Sequence, residues 1–280
     1  MAAPTLESTQ TTTWATSGST VVITKPTSLA VGDLMICRIV TSDGLTISNF
    51  AGFTSIGSQI TGSPGAYESF LGYKIADSGD VAASTFTITL SNSGSIKMGS
   101  ISRISNPDTL ATNYKYSSNS AANTISPSFT GVTPTNHADG NLIMQFWTTE
   151  DGSGGSPTIG SYSVATSNPS WTEVYELSST VGNDVSASMA WAARPEFTAT
   201  GNFSVTFSAS ADSAGQILAI TIPWTINVTE STTLSELYAP LNMSSTISES
   251  ISLLEVWDTE QQKWVNQTKN IGTWTNQDKS

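Results

Sequence analysis

Histidine and cysteine are nearly missing from this chain of 280 residues: it holds one of each, His137 and Cys37. A single thiol can form no intramolecular disulfide and no cysteine-based zinc centre. Cys37 ends the apolar run Leu34-Met35-Ile36-Cys37 and reads as a buried core thiol. His137 sits in the polar stretch Thr135-Asn136-His137-Ala138-Asp139-Gly140, which reads as a solvated loop. With no Gly-x-Ser-x-Gly elbow beside it, nothing supports a Ser-His-Asp site, and a transition metal would lack ligands. No enzyme activity and no cofactor are therefore expected. Charge is scarce too, at 11% of residues, and unbalanced: 10 Lys and Arg against 22 Asp and Glu, a formal net charge of −12. Such a surface repels phosphate backbones, so nucleic acid is not an expected partner. No apolar run approaches the ~20 residues that span a bilayer, and membrane insertion is not expected. The N-terminus Met1-Ala2-Ala3-Pro4-Thr5 lacks a basic-then-apolar secretory signal, which implies synthesis and release without that route.

What the chain does have is alternation. Thr85-Phe86-Thr87-Ile88-Thr89-Leu90 sets Phe86, Ile88 and Leu90 on one face and three threonines on the other, and Phe203-Ser204-Val205-Thr206-Phe207 repeats the pattern. Gly-, Asn- and Ser-rich breaks such as Ser91-Asn92-Ser93-Gly94 read as turns. The expected fold is all-β, an antiparallel sandwich or jelly-roll-like body.

That body reads as internally duplicated. Gly32-Asp33-Leu34-Met35-Ile36 matches Gly140-Asn141-Leu142-Ile143-Met144, 108 positions on. Phe53-Thr54 matches Trp171-Thr172, and Tyr73 matches Trp191, both 118 positions on. Phe86 to Leu90 matches Phe203 to Phe207 at 117. The organisation expected is a first sandwich half over 1–120, a second over 121–225 and a C-terminal extension over 226–280. Two sandwiches side by side and one merged unit both fit this pattern.

After Trp224 the composition changes to Ser, Thr and Glu with sparse apolar anchors, which reads as a linker. Leu254-Glu255-Val256-Trp257-Asp258 and Lys263-Trp264-Val265 then predict a small hairpin in which Trp257 and Trp264 pair across the strands. Trp264-Val265-Asn266-Gln267-Thr268-Lys269 and Trp274-Thr275-Asn276-Gln277-Asp278-Lys279 form a second repeat. So few residues build no core of their own, so Trp257, Trp264 and Trp274 are the candidate partner-binding residues, docking on the body or on another chain. A homo-oligomer is expected, although no heptad pattern specifies a coiled coil.

Three further groups could carry chemistry, each beside a plainer reading. Glu150-Asp151 is the best carboxylate pair for glycoside hydrolysis, or an ordinary polar turn after a strand. Asp77-Ser78-Gly79-Asp80 offers oxygens to calcium but is too short for an EF-hand loop. Trp147, Trp171, Tyr175 and Trp191 could form a sugar-stacking platform or lie in the cores.

The run Thr20-Val21-Val22-Ile23-Thr24-Lys25-Pro26 with Leu29-Ala30-Val31-Gly32-Asp33-Leu34-Met35, then Gly52-Phe53-Thr54 and Tyr73-Lys74-Ile75-Ala76-Asp77, resembles β-sandwich proteins of tailed-bacteriophage structural modules. The Trp-x-Asn-Gln-x-Lys tail is similar to the endings of phage virion proteins. Phe53 stands where that family usually has Trp, while Trp171 keeps it in the second half. The resemblance implies a virion structural protein, a capsid-decoration or head or tail surface protein held by its C-terminal segment to other virion proteins. The alternative it leaves is a receptor- or carbohydrate-binding module contacting a host surface glycan.

Overall fold

The computed structural model describes residues 4–42, 44–62, 67–93, 96–105, 114–134, 141–150, 157–179, 185–195 and 198–221, together with two short strands near the C-terminus. Residues 1–223 form one compact unit and 224–280 another. The regular secondary structure of the larger unit is nearly all strand, and its sheets are antiparallel. The all-β sandwich expected from the alternation is the fold found.

In the first half run β1 (Thr5–Thr11), β2 (Thr20–Thr24), β3 (Leu34–Ser42), β4 (Ile47–Asn49), β5 (Thr54–Ser55), β6 (Ile60–Thr61), β7 (Tyr67–Ile75), the single-turn helix α1 (Ser78–Ala82), β8 (Thr85–Leu90) and β9 (Lys97–Ser105). The second half has β10 (Tyr114–Thr124), β11 (Ser128–Phe129), β12 (Asn141–Glu150), β13 (Ile159–Val164), β14 (Thr172–Ser178), β15 (Val185–Arg194), β16 (Phe203–Phe207) and β17 (Ala211–Thr221). Each half pairs a large sheet with a small one. The large sheets have the orders β1-β9-β3-β7-β5 and β10-β17-β12-β15-β14; the small ones are β2-β8-β4 and β11-β16-β13. Apart from β6, which pairs with β7 in the first large sheet and has no counterpart, the two orders are the same strand for strand. The matched residues also hold matched partners: Ile36 pairs with Tyr73 as Met144 pairs with Trp191, and Ile23 pairs with Phe86 as Phe129 pairs with Phe203.

One boundary moves. The halves were expected to meet at 120/121, but β10 crosses that point and pairs along its length with β17. The second sandwich therefore begins by Tyr114. Beyond Tyr114 and Tyr116 this strand is Ser, Asn, Ala and Thr, and carries no apolar alternation to announce it.

Three apolar cores lie between four layers. Val21, Ile23, Phe86 and Ile88 of the first small sheet meet Met35, Cys37, Ile39 and Ile101 of the first large sheet. Phe129, Phe203, Val205 and Phe207 meet Ile143, Trp147, Ile217 and Ala219 in the second sandwich. Between them a third core joins the two large sheets face to face, with Leu34, Ile36, Leu71 and Ile104 against Leu142, Met144, Leu218 and Ile220. Hence the pattern splits by layer. β2 alternates exposed and buried, whereas all ten residues of β12 are buried, because both of its faces are covered. The two arrangements left open by the sequence are combined: two complete sandwiches, joined back to back by a shared core.

Within the second sandwich Trp147 is fully buried, stacked on Phe129 with centroids 5.4 Å apart. Its indole Nε1 donates to Gln145 Oε1 at 2.8 Å, and Gln145 Nε2 donates to the Ser163 carbonyl at 2.9 Å. A buried donor is satisfied and the ring fills the core.

Candidate functional site

Of the four aromatics that could have formed a platform, the fold brings none into one exposed face. Trp147 lies in the outer core of the second sandwich and Tyr175 is buried in the central one. Trp171 and Trp191 are each half-buried. They lean to opposite sides of the sheet, Trp171 against the outer core and Trp191 against the central one.

Trp191 nevertheless lines a surface cleft of about 660 Å³, with Ser167, Asn168, Pro169, Ser170 and Thr172 around it. Two features fix this shape. Thr172 on the edge strand β14 sits opposite Trp191 on β15 in the ladder. The loop before β14 is tied down by Asn168, whose Oδ1 accepts from the Val164 backbone N–H and from Trp171 Nε1, both at 2.9 Å. Ser167 completes the turn in the left-handed region, with φ of 46°. The lining is one indole among hydroxyl, amide and proline groups, without a charged side chain. Such a surface suits a neutral ligand that offers an apolar face and several hydroxyls.

The carboxylates have structural roles. Asp77 is the N-cap of α1: its Oδ1 accepts from the Asp80 N–H at 2.9 Å, and Asp80 Oδ2 accepts from the Asp77 N–H at 3.0 Å. This reciprocal capping box satisfies two donors of the first turn. The Asp80 N–H, helped by Lys74, holds the Asp77 carboxyl below the usual carboxylate range. Lys74 Nζ also lies 2.6 Å from Asp80 Oδ1. The calcium reading of this segment thus gives way to a cap. Among the described residues no three His, Cys, Asp or Glu side chains converge as a metal site.

Glu150 is not in an open loop. It is the last residue of β12, 5% exposed, opposite Val185 and Asp212 in the ladders. Close by, burial pushes the Tyr67 phenol well above its usual range, with the negative charges of Glu150 and then Asp212 adding to the effect. Asp151 and His137 fall outside the described residues. Cys37 is buried, and burial pushes its thiol far above the normal range, which makes it inert as a nucleophile.

At the C-terminal end, β18 (Val256–Asp258) and β19 (Lys263–Val265) form an antiparallel hairpin. Its register sets Trp257 opposite Trp264, between the Val256–Val265 and Asp258–Lys263 pairs. Trp274 lies outside the described residues.

The feature that reading the sequence missed is Arg38, 1% exposed between the two sandwiches. Its Nη1 donates to the Ser188 carbonyl at 2.7 Å and its Nη2 to Thr148 Oγ1 at 2.5 Å, while its guanidinium lies over the Phe146 ring at 5.6 Å. Ser69 Oγ donates to Gln216 Oε1 at 2.8 Å, Tyr67 OH donates to the Thr148 carbonyl at 3.0 Å, and Ser100 Oγ bonds Tyr175 OH at 3.0 Å. Every one of these bonds crosses from one sandwich to the other. The signal was present: a lone cation amid Leu34-Met35-Ile36-Cys37-Arg38-Ile39-Val40, on the side of the strand shared with Leu34 and Ile36.

No known protein family matches the chain, and no curated protein or solved structure shows significant similarity to it.

Proposed function

We propose that this chain is a structural protein of a tailed-bacteriophage particle, a capsid-decoration or head or tail surface protein held to other virion proteins by its C-terminal segment. The observation that supports this reading is where the resembling motifs fall. Gly32-Asp33-Leu34-Met35 leads from a turn into β3, with Gly32 in the left-handed region at φ 93°. Asp33 Oδ2 accepts from the Ala30 N–H at 2.8 Å and from Arg103 Nε at 2.6 Å. Phe53 is a core residue, and Tyr73-Lys74-Ile75-Ala76-Asp77 joins β7 to the cap of α1. The shared residues are those that build a scaffold, and a rigid scaffold is what a particle surface requires. The register that sets Trp257 opposite Trp264 in one hairpin gathers two of the candidate partner-binding residues. The test is to assemble particles with the chain lacking residues 254–280 and probe purified particles for it. Loss of the chain from particles is expected; retention at full occupancy overturns the anchoring role.

A second reading, a module that binds a host-surface glycan, rests on the cleft beside Trp191. Stacking on the indole with hydroxyls bonded to Asn168 and Ser170 is the mode it implies. Titration with surface oligosaccharides, followed by tryptophan fluorescence, tests it. Trp191→Ala is expected to weaken binding about tenfold or more. Absence of binding by the unaltered chain removes this reading and leaves the structural one.

A further inference from the structure

The central strands of one large sheet have counterparts on the other. Leu34 corresponds to Leu142, Ile104 to Ile220 and Ile75 to Ala193, because each set of three lies side by side in its own sheet. On this correspondence the counterpart of Arg38 is Phe146, and these two side chains meet, the guanidinium carbon 5.6 Å from the ring centroid. A residue that touches its own counterpart lies on a two-fold axis. Away from that axis the contacts are reciprocal strand by strand. Tyr175 lies beside β15 as Ile56 lies beside β7, Tyr175 opposite Met189 and Ile56 bonded to Leu71. Tyr175 reaches across to Ser100 on β9, and Ile56 lies with Leu218 of β17 around one small void. Tyr73 meets Tyr114 with centroids 5.6 Å apart, and their counterparts Trp191 and Leu6 both pack on the central core.

We infer that the inner faces of the two large sheets are two versions of one self-associating surface, and that Arg38 restricts it to pairing a first sandwich with a second. The restriction follows from what Arg38 would meet otherwise. In a pairing of two first sandwiches, Arg38 would face Arg38 instead of Phe146. Its acceptor Thr148 would be replaced by the counterpart Val40, and Tyr175 by Ile56, neither of which has a hydroxyl. Two buried guanidiniums would confront each other short of partners, a strongly unfavourable arrangement. In the pairing that occurs, one guanidinium lies on a ring and donates to a hydroxyl and a carbonyl. A pairing of two second sandwiches would set Phe146 on Phe146 and leave Gln216, bonded here to Ser69, against the counterpart Ala187. The chain thereby closes on itself and does not propagate from copy to copy through this face.

The test starts from the full chain with a protease site placed within residues 106–113, folded and then cut. An isotope-labelled and an unlabelled preparation are mixed, unfolded together in urea, refolded and weighed by native mass spectrometry. Expected are complexes of one first piece with one second piece, and first–first pairs at least tenfold rarer. Arg38→Phe is expected to raise first–first pairs about tenfold or more, and Arg38→Met, closer in shape, to raise them as well. Pieces that do not rejoin overturn the self-association surface. First–first pairs as abundant as mixed ones in the unaltered protein, or unchanged in both variants, overturn the role of Arg38.

Discussion

Gly99 and Gly215 hold equivalent places on β9 and β17, and each lies under the small sheet of its sandwich. A methyl group at Gly99 would stand 2.6 Å from Ile23 Cδ1, and one at Gly215 would stand 2.6 Å from Trp147 Cζ3 and 2.9 Å from Phe129 Cδ2. Neither glycine is required by its backbone angles; the facing side chains leave no room. The aromatic pair Trp147 and Phe129 is far stiffer than the tip of Ile23, so the second site is the less forgiving. Gly215→Ala is expected to destabilise the protein by about 1–3 kcal/mol through overpacking. Gly160→Ala, where nothing lies within 4 Å, should change stability by no more than ~0.5 kcal/mol. Urea unfolding of both variants decides this, and equal midpoints would mean that the core adapts around Gly215.

Strands differ by the layer in which they lie. On β2, Ile23 is fully buried while its neighbour Val22 is 50% exposed. On β12, the neighbours Leu142 and Ile143 are both fully buried, one in the central core and one in the outer. Alanine at Ile23, Leu142 and Ile143 is expected to cost about 2–5 kcal/mol each, and at Val22 no more than ~0.5 kcal/mol. Equilibrium unfolding measures all four, and a small loss at Leu142 would argue against the central core. The same contrast explains what could be read beforehand. β8 and β16 were visible as Phe86-Ile88-Leu90 and Phe203-Val205-Phe207 because each has one wet face. The near-continuous apolar run of β12 announces burial on two sides without naming what covers the second. The boundary placed at 120/121 falls inside β10 because Ser, Asn, Ala and Thr carry no pattern. Trp171 and Trp191 look alike in sequence, yet they are divided by the sheet between them, and only the loop held by Asn168 turns one of them into a cleft wall. Arg38 could be noticed as an anomaly, but its partners lie 110 to 150 residues away on the other sandwich.

At the scale of the body, the sandwiches depend on one another through a core that is apolar at one end and hydrogen-bonded at the other. Tyr67 marks the polar end, with its hydroxyl on the Thr148 carbonyl of the opposite sandwich. Its phenol is held protonated by burial, then by the charges of Glu150 and Asp212. An unfolded tyrosine ionises near pH 10, so above that pH the folded chain binds more protons than the unfolded one. The contribution is complete below about pH 10 and is lost as pH rises through the higher folded value. Stability is therefore expected to fall above about pH 10, by up to ~1.4 kcal/mol per pH unit for this proton. Tyr67→Phe should show a shallower alkaline slope; Tyr162, also raised by burial, keeps part of it. Urea midpoints between pH 8 and 11.5 measure the slopes, and identical ones would remove Tyr67 from the account.

Stacked sheets lie about 10 Å apart, so the three gaps of this body set its two small sheets roughly 30 Å from each other. Thr20, Thr24, Thr85 and Thr87 point outward from one of them and Ser161 and Thr206 from the other. The four-layer stack is in this sense a strut. Its two end walls are neutral and hydroxyl-rich, look in different directions and share no residue. A change on one wall leaves the other, and the distance between them, as it was.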